Sequence, residues 1–462
     1  MASECTPLND LVLGSWRRIP ILGKSLSSTQ LLKAFRGSAW TTVGYGSSQL
    51  IRLASMLILA RHLLGPRAFG LVALVNVFLS GLALLSDLGI KTDVIQHRRG
   101  DEPEFINTAF LIQIARGVVL WFLASLFAYP FAKFYSQPEF LSLALVASLS
   151  VLATNLSSGS VFTLTRHVKL RGLTILRIAA EATGLLVSVF WAMVSPTAWS
   201  LVVGRVVTEA FYSVGTHFLG TERISLQWDK QAARDIMVFG AGVLASSSTY
   251  FLAGEAERLV VAKFVDLAML GCFSLAISIT SVATGAIERL AGQVFYPMIA
   301  SAVREGGDLA RQFRSARYLL AAFSMFIGII FIVGGKWLVA VLLGPKFAPA
   351  GWILQLLGFR AAIDVFTPIT AQMLFALGLT KYSAYGNLAK LVFISAGLAV
   401  AFTRFGFLEA VWVLALSSVA GHIPLLLGLR RHLRKAFATE TFGFAVVLLT
   451  LGMTAALQVF VR

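Results

Sequence analysis

Residues Leu59–Phe78 read LARHLLGPRAFGLVALVNVF. Two apolar runs meet at a short basic turn, with Arg61, His62 and Arg67 around Gly65-Pro66. Glycine and proline punctuate helices, so the pair ends one helix and starts the next. A water-soluble domain gains nothing from a basic turn wedged between two long greasy segments. A chain that crosses a bilayer, turns in water and crosses back requires one.

Composition extends that reading to the whole chain. Of its 462 residues, 57% are hydrophobic and 13% charged, with a mean hydropathy of +0.80. Soluble proteins carry roughly 25% charged residues. Thirteen apolar runs approach the roughly 20 residues of a helical span: 38–60, 70–90, 107–129, 139–162, 173–195, 198–220, 236–262, 267–288, 317–343, 350–377, 381–403, 405–428 and 441–461. All are expected to be helices, because hydrocarbon offers no partner to an open backbone group. The expected fold is all-α, a polytopic membrane protein with about 13 transmembrane helices.

The net charge of +17 is read as the basic bias of cytoplasmic loops, not as a nucleic-acid surface. With the N-terminus inside, the tail and the even-numbered connections hold 24 Lys and Arg, against eight on the opposite side. The expected location is the cytoplasmic membrane, with the N-terminus inside and, from the odd span count, the C-terminus outside. Residues 1–36 read as a cytoplasmic tail: the apolar patch LVLG is short, and Arg17-Arg18 follow it. The two cysteines, Cys5 and Cys272, suggest neither a disulfide framework nor a metal site.

The opening hairpin has a counterpart at 259–276, LVVAKFVDLAMLGCFSLA. Ala262-Lys263 stands where Ala60-Arg61 stood, and Gly271 where Gly70 stood, with one residue deleted between. Both hairpins follow the first span of a six-span set. The expected organisation is a tail (1–36), an N-terminal six-helix bundle (37–222), a C-terminal six-helix bundle (223–435) and an extra C-terminal transmembrane helix (436–462). Two bundles in the same orientation form a parallel repeat around a central cavity.

Charges inside spans cost about 2.5–3.5 kcal/mol each on insertion scales, so they default to function. The basic ones are Arg52, Arg116, Arg177, Arg205, Arg258, Arg360 and Lys390, and the acidic ones Asp87, Glu181, Glu209, Glu255, Glu257 and Asp364. Three spans repeat one pattern: RIAAE at 177–181, RVVTE at 205–209 and RAAID at 360–364. Each places an arginine and a carboxylate on one helical face. Either the pair neutralises itself, or the carboxylate holds the arginine for a passing anion, which its planar fork binds through two parallel hydrogen bonds. Arg52 and Arg116 have no carboxylate at helical spacing. Arg52 is read as a cavity residue or as the partner of a distant acid such as Asp87. Arg116 and Lys390 either line the cavity or snorkel to the interface. Glu257 either titrates and couples an ion, or pairs with Arg258.

The substrate-binding candidates are therefore Arg52, Arg116, Arg177, Arg205, Arg360 and Lys390. The ion-coupling candidates are Asp87, Glu181, Glu209, Glu257 and Asp364. No catalytic motif, metal-ligand spacing, cofactor signature or ATP-binding loop occurs, so the chain is read as a transporter and not an enzyme.

Four further stretches carry a resemblance: the first hairpin with SDLGIKTDVIQ (86–96), the second hairpin ERLVVAKFVDLAMLGCFSLA (257–276), QVFYPMIASAVREGGDLARQFRSARYLL (293–320) and LLGPKFAPAGWILQLLG (342–358). In this order and spacing the chain resembles the polysaccharide transporters of the multidrug/oligosaccharidyl-lipid/polysaccharide exporter superfamily. It departs from the family in the seventh span, where Gly254 stands at the usual asparagine and Glu257 at the usual aspartate. The resemblance implies a flippase that moves an undecaprenyl-pyrophosphate-linked oligosaccharide from the inner to the outer leaflet by ion-driven alternating access. It implies membrane lipid, a polysaccharide polymerase and a chain-length regulator as partners. A monomer is expected. The alternative within the superfamily is a cation-coupled multidrug exporter, which predicts an acid-rich cavity.

Overall fold

Most of the expected spans fall on helices in the computed structural model, which describes residues 44, 46–84, 86–220, 225, 227–296, 298–299 and 309–460. The expected tail, 1–36, lies outside the described residues, as does most of the basic loop after residue 299. No strand occurs among the described residues.

The first helix, α1 (46–58), tightens into a π-turn at Leu59–Leu63 and stops at Leu64, whose φ and ψ are extended. Pro66 then opens α2 (Pro66–Leu84); its missing N–H costs nothing in a first turn. A short helix, α3 (Ile90–Gln96), follows Gly89, whose φ of +56° is a left-handed conformation that suits glycine. The N-terminal half continues with α4 (Pro103–Phe134), α5 (Glu139–Asn155), α6 (Ser160–Arg166), α7 (Arg171–Val194) and α8 (Trp199–Leu219). The C-terminal half comprises α9 (Lys230–Phe264), α10 (Leu267–Leu290), α11 (Leu309–Leu342), α12 (Ala348–Ala376), α13 (Lys381–Arg404), α14 (Phe407–His432) and α15 (Arg434–Phe460). Asp229 and Asp266 cap α9 and α10, accepting from Gln231 N at 2.8 Å and Met269 N at 2.7 Å. Such caps satisfy donors that a helix start leaves open.

Nine helices among the described residues are long and apolar enough to cross a membrane, ten if a bent pair counts as one span. The helices α8 and α9 fall short of that test, and both carry charges of the site described below. The bent pair corrects the expected fourth span, 139–162, which was read as one helix. α5 and α6 meet at 58°. The break falls on Leu156-Ser157-Ser158-Gly159, where side chains replace the interrupted backbone bonds. Gln113 Nε2 donates to Asn155 O (2.9 Å) and Ser157 O (3.2 Å), and Ser158 N donates to Thr216 Oγ1 (2.9 Å). A helix breaks at membrane depth only where protein groups meet the freed backbone.

The two halves meet through α2 and α10. A Cβ on Gly70 would lie 1.8 Å from Leu267 O, and one on Gly271 would lie 2.0 Å from Pro66 O. The sequence correspondence of the two hairpins is thus a spatial reciprocity. A second exchange accompanies it. The Arg61 guanidinium donates to Val341 O near the end of α11, and Lys263 Nζ donates to Phe134 O at the end of α4. Each cation sits at a helix C-terminus of the other half, where free carbonyls and the helix dipole favour positive charge.

On the opposite face, the loop after α3 clasps the start of α9. Arg99 bonds Glu102 and Asp229, each at 2.7 Å. The Arg99 hydrogen bond, with the Gln231 amide, holds the Asp229 carboxyl below the usual carboxylate range. Arg166 donates to the carbonyls of Val94, Ile95 and His97, each at 2.8 Å. Asp93 is buried with Oδ2 unpartnered, and burial pushes its carboxyl above the usual range.

One expectation about the basic residues is corrected. Arg317, one of the 24 Lys and Arg assigned above to the tail and even-numbered connections, is fully buried within α11. It pairs with Glu440 of α15 and lies 3.2 Å from the centroid of the Phe366 ring. Thr370 Oγ1 donates to Glu440 Oε1 at 2.6 Å, and His422 Nε2 lies 3.0 Å from the same oxygen. The cause is length: α11 begins a turn or more before its apolar stretch, so Arg317 meets α15 and not water.

Candidate functional site

A cavity of about 710 Å³ is bounded by helices of the N-terminal half together with α9 and α10. Arg52, Arg116, Glu181, Arg205, Glu255 and Arg258 supply its charged lining, and Asn76, Ser80, Gln113, Asn155 and Ser188 are among its polar neutral groups.

The arginine–carboxylate spacings on α7 and α8 bring their partners together. Arg177 Nη2 lies 2.9 Å from Glu181 Oε1, and Arg205 Nε lies 3.2 Å from Glu209 Oε1. These pairs do not stay separate. Gly184 and Gly204 face each other so closely that a Cβ on either would fall 2.8 Å from the other's carbonyl oxygen. Small residues of this kind let helix backbones approach in a membrane. Across that approach Arg177 reaches Glu209 as well, Nη1 to Oε2 at 3.0 Å and Nη2 to Oε1 at 3.1 Å.

From α1, Arg52 adds Nε and Nη2 contacts to Glu181 Oε1 at 3.1 and 2.7 Å. Arg52 thus both lines the cavity and pairs with a distant acid, which is Glu181 and not Asp87. The result is an alternating row, Arg52, Glu181, Arg177, Glu209, Arg205, with three cations and two anions. The carboxylates are buried, at 9% and 3% side-chain exposure, whereas the side chains of the terminal arginines are 49% and 54% exposed.

Arg116 is held differently. Its Nε and Nη2 donate to Ser86 O and Ala83 O, both at 2.8 Å, at the end of α2. It lines the cavity, with Asp87 as the acid that interacts with its charge. Asp87 accepts from Gly89 N at 3.0 Å and shapes the turn into α3.

The remaining candidates form a second cluster, away from that lining. Glu257 was expected to couple an ion or to pair with Arg258. It pairs with Arg360 of α12 and not with Arg258, which bonds Glu255 at 2.6 Å. Arg360 also reaches Asp364 at 3.3 Å, and Asp364 receives Lys390 Nζ at 3.6 Å and the Ser418 hydroxyl at 2.6 Å. Two cations and two anions cancel. Arg360, Lys390, Glu257 and Asp364 do not line the cavity, and neither do Arg177 and Glu209.

Sequence reasoning passed over Glu255 and Arg258 as site residues, although both were visible as in-span charges. It also passed over the amide and hydroxyl groups, whose only signal is a polar side chain at a small-residue position.

With this geometry in place, comparison with known proteins places the chain. The family model for polysaccharide biosynthesis proteins matches residues 58–351, more than half of the chain. The chain belongs to that family. It is 21% identical over 333 residues to the succinoglycan biosynthesis transport protein ExoT of Rhizobium meliloti, covering 71% of this chain and 66% of that protein. It is 21% identical over 272 residues to the lipopolysaccharide biosynthesis protein WzxC of Escherichia coli, covering 58% of this chain and 54% of that protein. The chain thus spans just under two thirds of the ExoT relative and about half of WzxC. Among solved structures it is similar to an inward-facing MATE-family multidrug resistance transporter of the MOP superfamily, with TM-score 0.63, 14% identity, and coverage of 85% of this chain and 95% of that one. It is also similar to the lipid II flippase MurJ in an inward closed conformation, with TM-score 0.62, 10% identity, and coverage of 91% and 99%. At these identities the likeness is one of fold. The chain is a member of the polysaccharide biosynthesis protein family with nine helices, among its described residues, long and apolar enough to cross a membrane.

Proposed function

We propose that the protein flips a polyprenyl-pyrophosphate-linked oligosaccharide repeat unit from the inner to the outer leaflet of the cytoplasmic membrane, for assembly of a surface polysaccharide. The observation that carries this reading is the cavity between the halves, whose charged lining sets four arginines, Arg52, Arg116, Arg205 and Arg258, against two carboxylates, Glu181 and Glu255. A diphosphate bears the charge such a lining favours, and guanidinium forks match its oxygens. The amides and hydroxyls of the lining suit a sugar. A cationic drug would meet repulsion there, which disfavours the multidrug alternative.

Alternating access, driven by an ion gradient, supplies the movement. The halves 37–222 and 223–435 rock about the α2–α10 contact, and the hairpin face is the outer one by the distribution of loop cations. A polysaccharide polymerase and a chain-length regulator receive the product, and the protein works as a monomer.

The test is a strain in which this protein is the sole candidate flippase. Its deletion is expected to remove repeat units from the outer leaflet while lipid-linked intermediate accumulates inside. Undiminished labelled repeat units on the outer side would refute the reading.

A further inference from the structure

The alternating row raises a question of count. Each carboxylate has an arginine on its own helix or an adjacent one, and two arginines would neutralise two acids. The third, Arg177, is in the middle and does not line the cavity. Its Nε, Nη1 and Nη2 all face carboxylate oxygens at 2.9–3.1 Å, and its guanidinium carbon lies 5.2 Å from the Tyr212 ring centroid. A side chain held so completely has little left to offer a ligand.

Resting on the anion-transport reading above, we propose that Arg177 is a positioning residue that never touches the cargo. It shares the charge of Glu181 and Glu209, so that Arg52 and Arg205 act as two partly released arms for the two phosphoryl groups of a diphosphate diester.

The electrostatics follow from simple charge balance. With Arg177 the row carries one net positive charge, and each buried carboxylate divides its attraction between two guanidiniums. Without Arg177 the row collapses into two neutral pairs, Arg52 with Glu181 and Arg205 with Glu209. Each arm is then the only counter-charge of a buried acid, and an arriving anion must strip it from that acid at low dielectric. The terminal arginines would remain present but be withdrawn from the cargo.

Charge compensation separates this role from a purely structural one. Binding of farnesyl diphosphate to the full-length protein in detergent is measured by calorimetry, with inorganic pyrophosphate as competitor to separate headgroup from lipid binding. Arg177→Gln is expected to weaken binding about tenfold or more, on the scale of an uncompensated charge contact. Arg177→Gln combined with Glu181→Gln restores the net positive charge and is expected to recover most of that loss. Glu181→Gln alone, which frees Arg52, is expected to bind more tightly than the native protein. Native affinity in Arg177→Gln, no recovery in the double variant, or weakened binding in Glu181→Gln would each overturn the proposal. A native protein that binds no farnesyl diphosphate would instead sink the anion reading itself.

Discussion

Gly70 and Gly271 exchange one contact: each lies against the carbonyl oxygen four residues before the other, Leu267 O and Pro66 O. The exchange leaves no room for a side chain on either helix, because the obstructing atoms are backbone. Gly70→Ala and Gly271→Ala are each expected to destabilise the α2–α10 interface by about 1–3 kcal/mol, the usual cost of overpacking. Each should lower the melting temperature in detergent. A cysteine pair placed at positions 66 and 267 should cross-link in the native background and less completely in either alanine variant. Unchanged cross-linking would mean that the halves part here without cost.

The cavity arms can be probed in cells. Arg52→Ala and Arg205→Ala, at normal membrane abundance, should each lower surface polysaccharide by about tenfold or more, the scale of losing a charged hydrogen bond. The intermediate should accumulate at the inner leaflet. Arg360→Ala disturbs a cluster outside the cavity and should act through protein abundance instead. Quantifying glycan against protein level distinguishes the two effects.

Arg317 and Glu440 form a buried pair. Removing one partner leaves a buried charge uncompensated, a loss of about 3–5 kcal/mol, whereas replacing both with apolar residues is often near neutral. Arg317→Met should therefore melt well below the native protein, and Arg317→Met with Glu440→Leu should recover most of the difference. Additive losses would refute coupling between the two.

The clasp around α9 is expected to respond to acid in a definite direction. The Asp229 carboxyl is held low by Arg99. A depressed folded value contributes stability that is present above the unfolded carboxylate value and lost as pH falls through the folded one. Protection of the amides near Gln231 in hydrogen exchange should hold at neutral pH and fall under acid. In Asp229→Asn that dependence should disappear. The Asp93 carboxyl is shifted the other way by burial, so its ionised form opposes folding at neutral pH. Asp93→Asn should be neutral or stabilising there.

Much of this architecture is written in local pattern. Apolar length and the Gly65-Pro66 turn are properties of neighbouring residues, and they lead directly to helices and a hairpin. The reciprocity of Gly70 and Gly271 is legible because both halves use the same words. The break at Ser157-Ser158-Gly159 is spelled out in small polar residues, yet its apolar flanks read as one span; what permits it is Gln113 and Thr216, residues on other helices. The charges are legible as individuals and illegible as groups. Spacing on one helix pairs Arg177 with Glu181, but only the rotation of neighbouring helices brings Arg52 to the same oxygen, or Arg360 to Glu257. Glu440 begins an apolar run, where a carboxylate looks interfacial until Arg317 is found opposite.

The pairing of Arg317 with Glu440 also bears on the order in which the protein is made. Helix α11 leaves the ribosome long before α15, so the guanidinium enters the bilayer without its counter-charge. Until α15 is synthesised and inserted, the C-terminal half holds an exposed polar defect of the kind that quality-control proteases and chaperones recognise. The arrival of α15 is the signal that hides it, and a message truncated before Glu440 should yield a product that is destroyed and not a shorter stable protein.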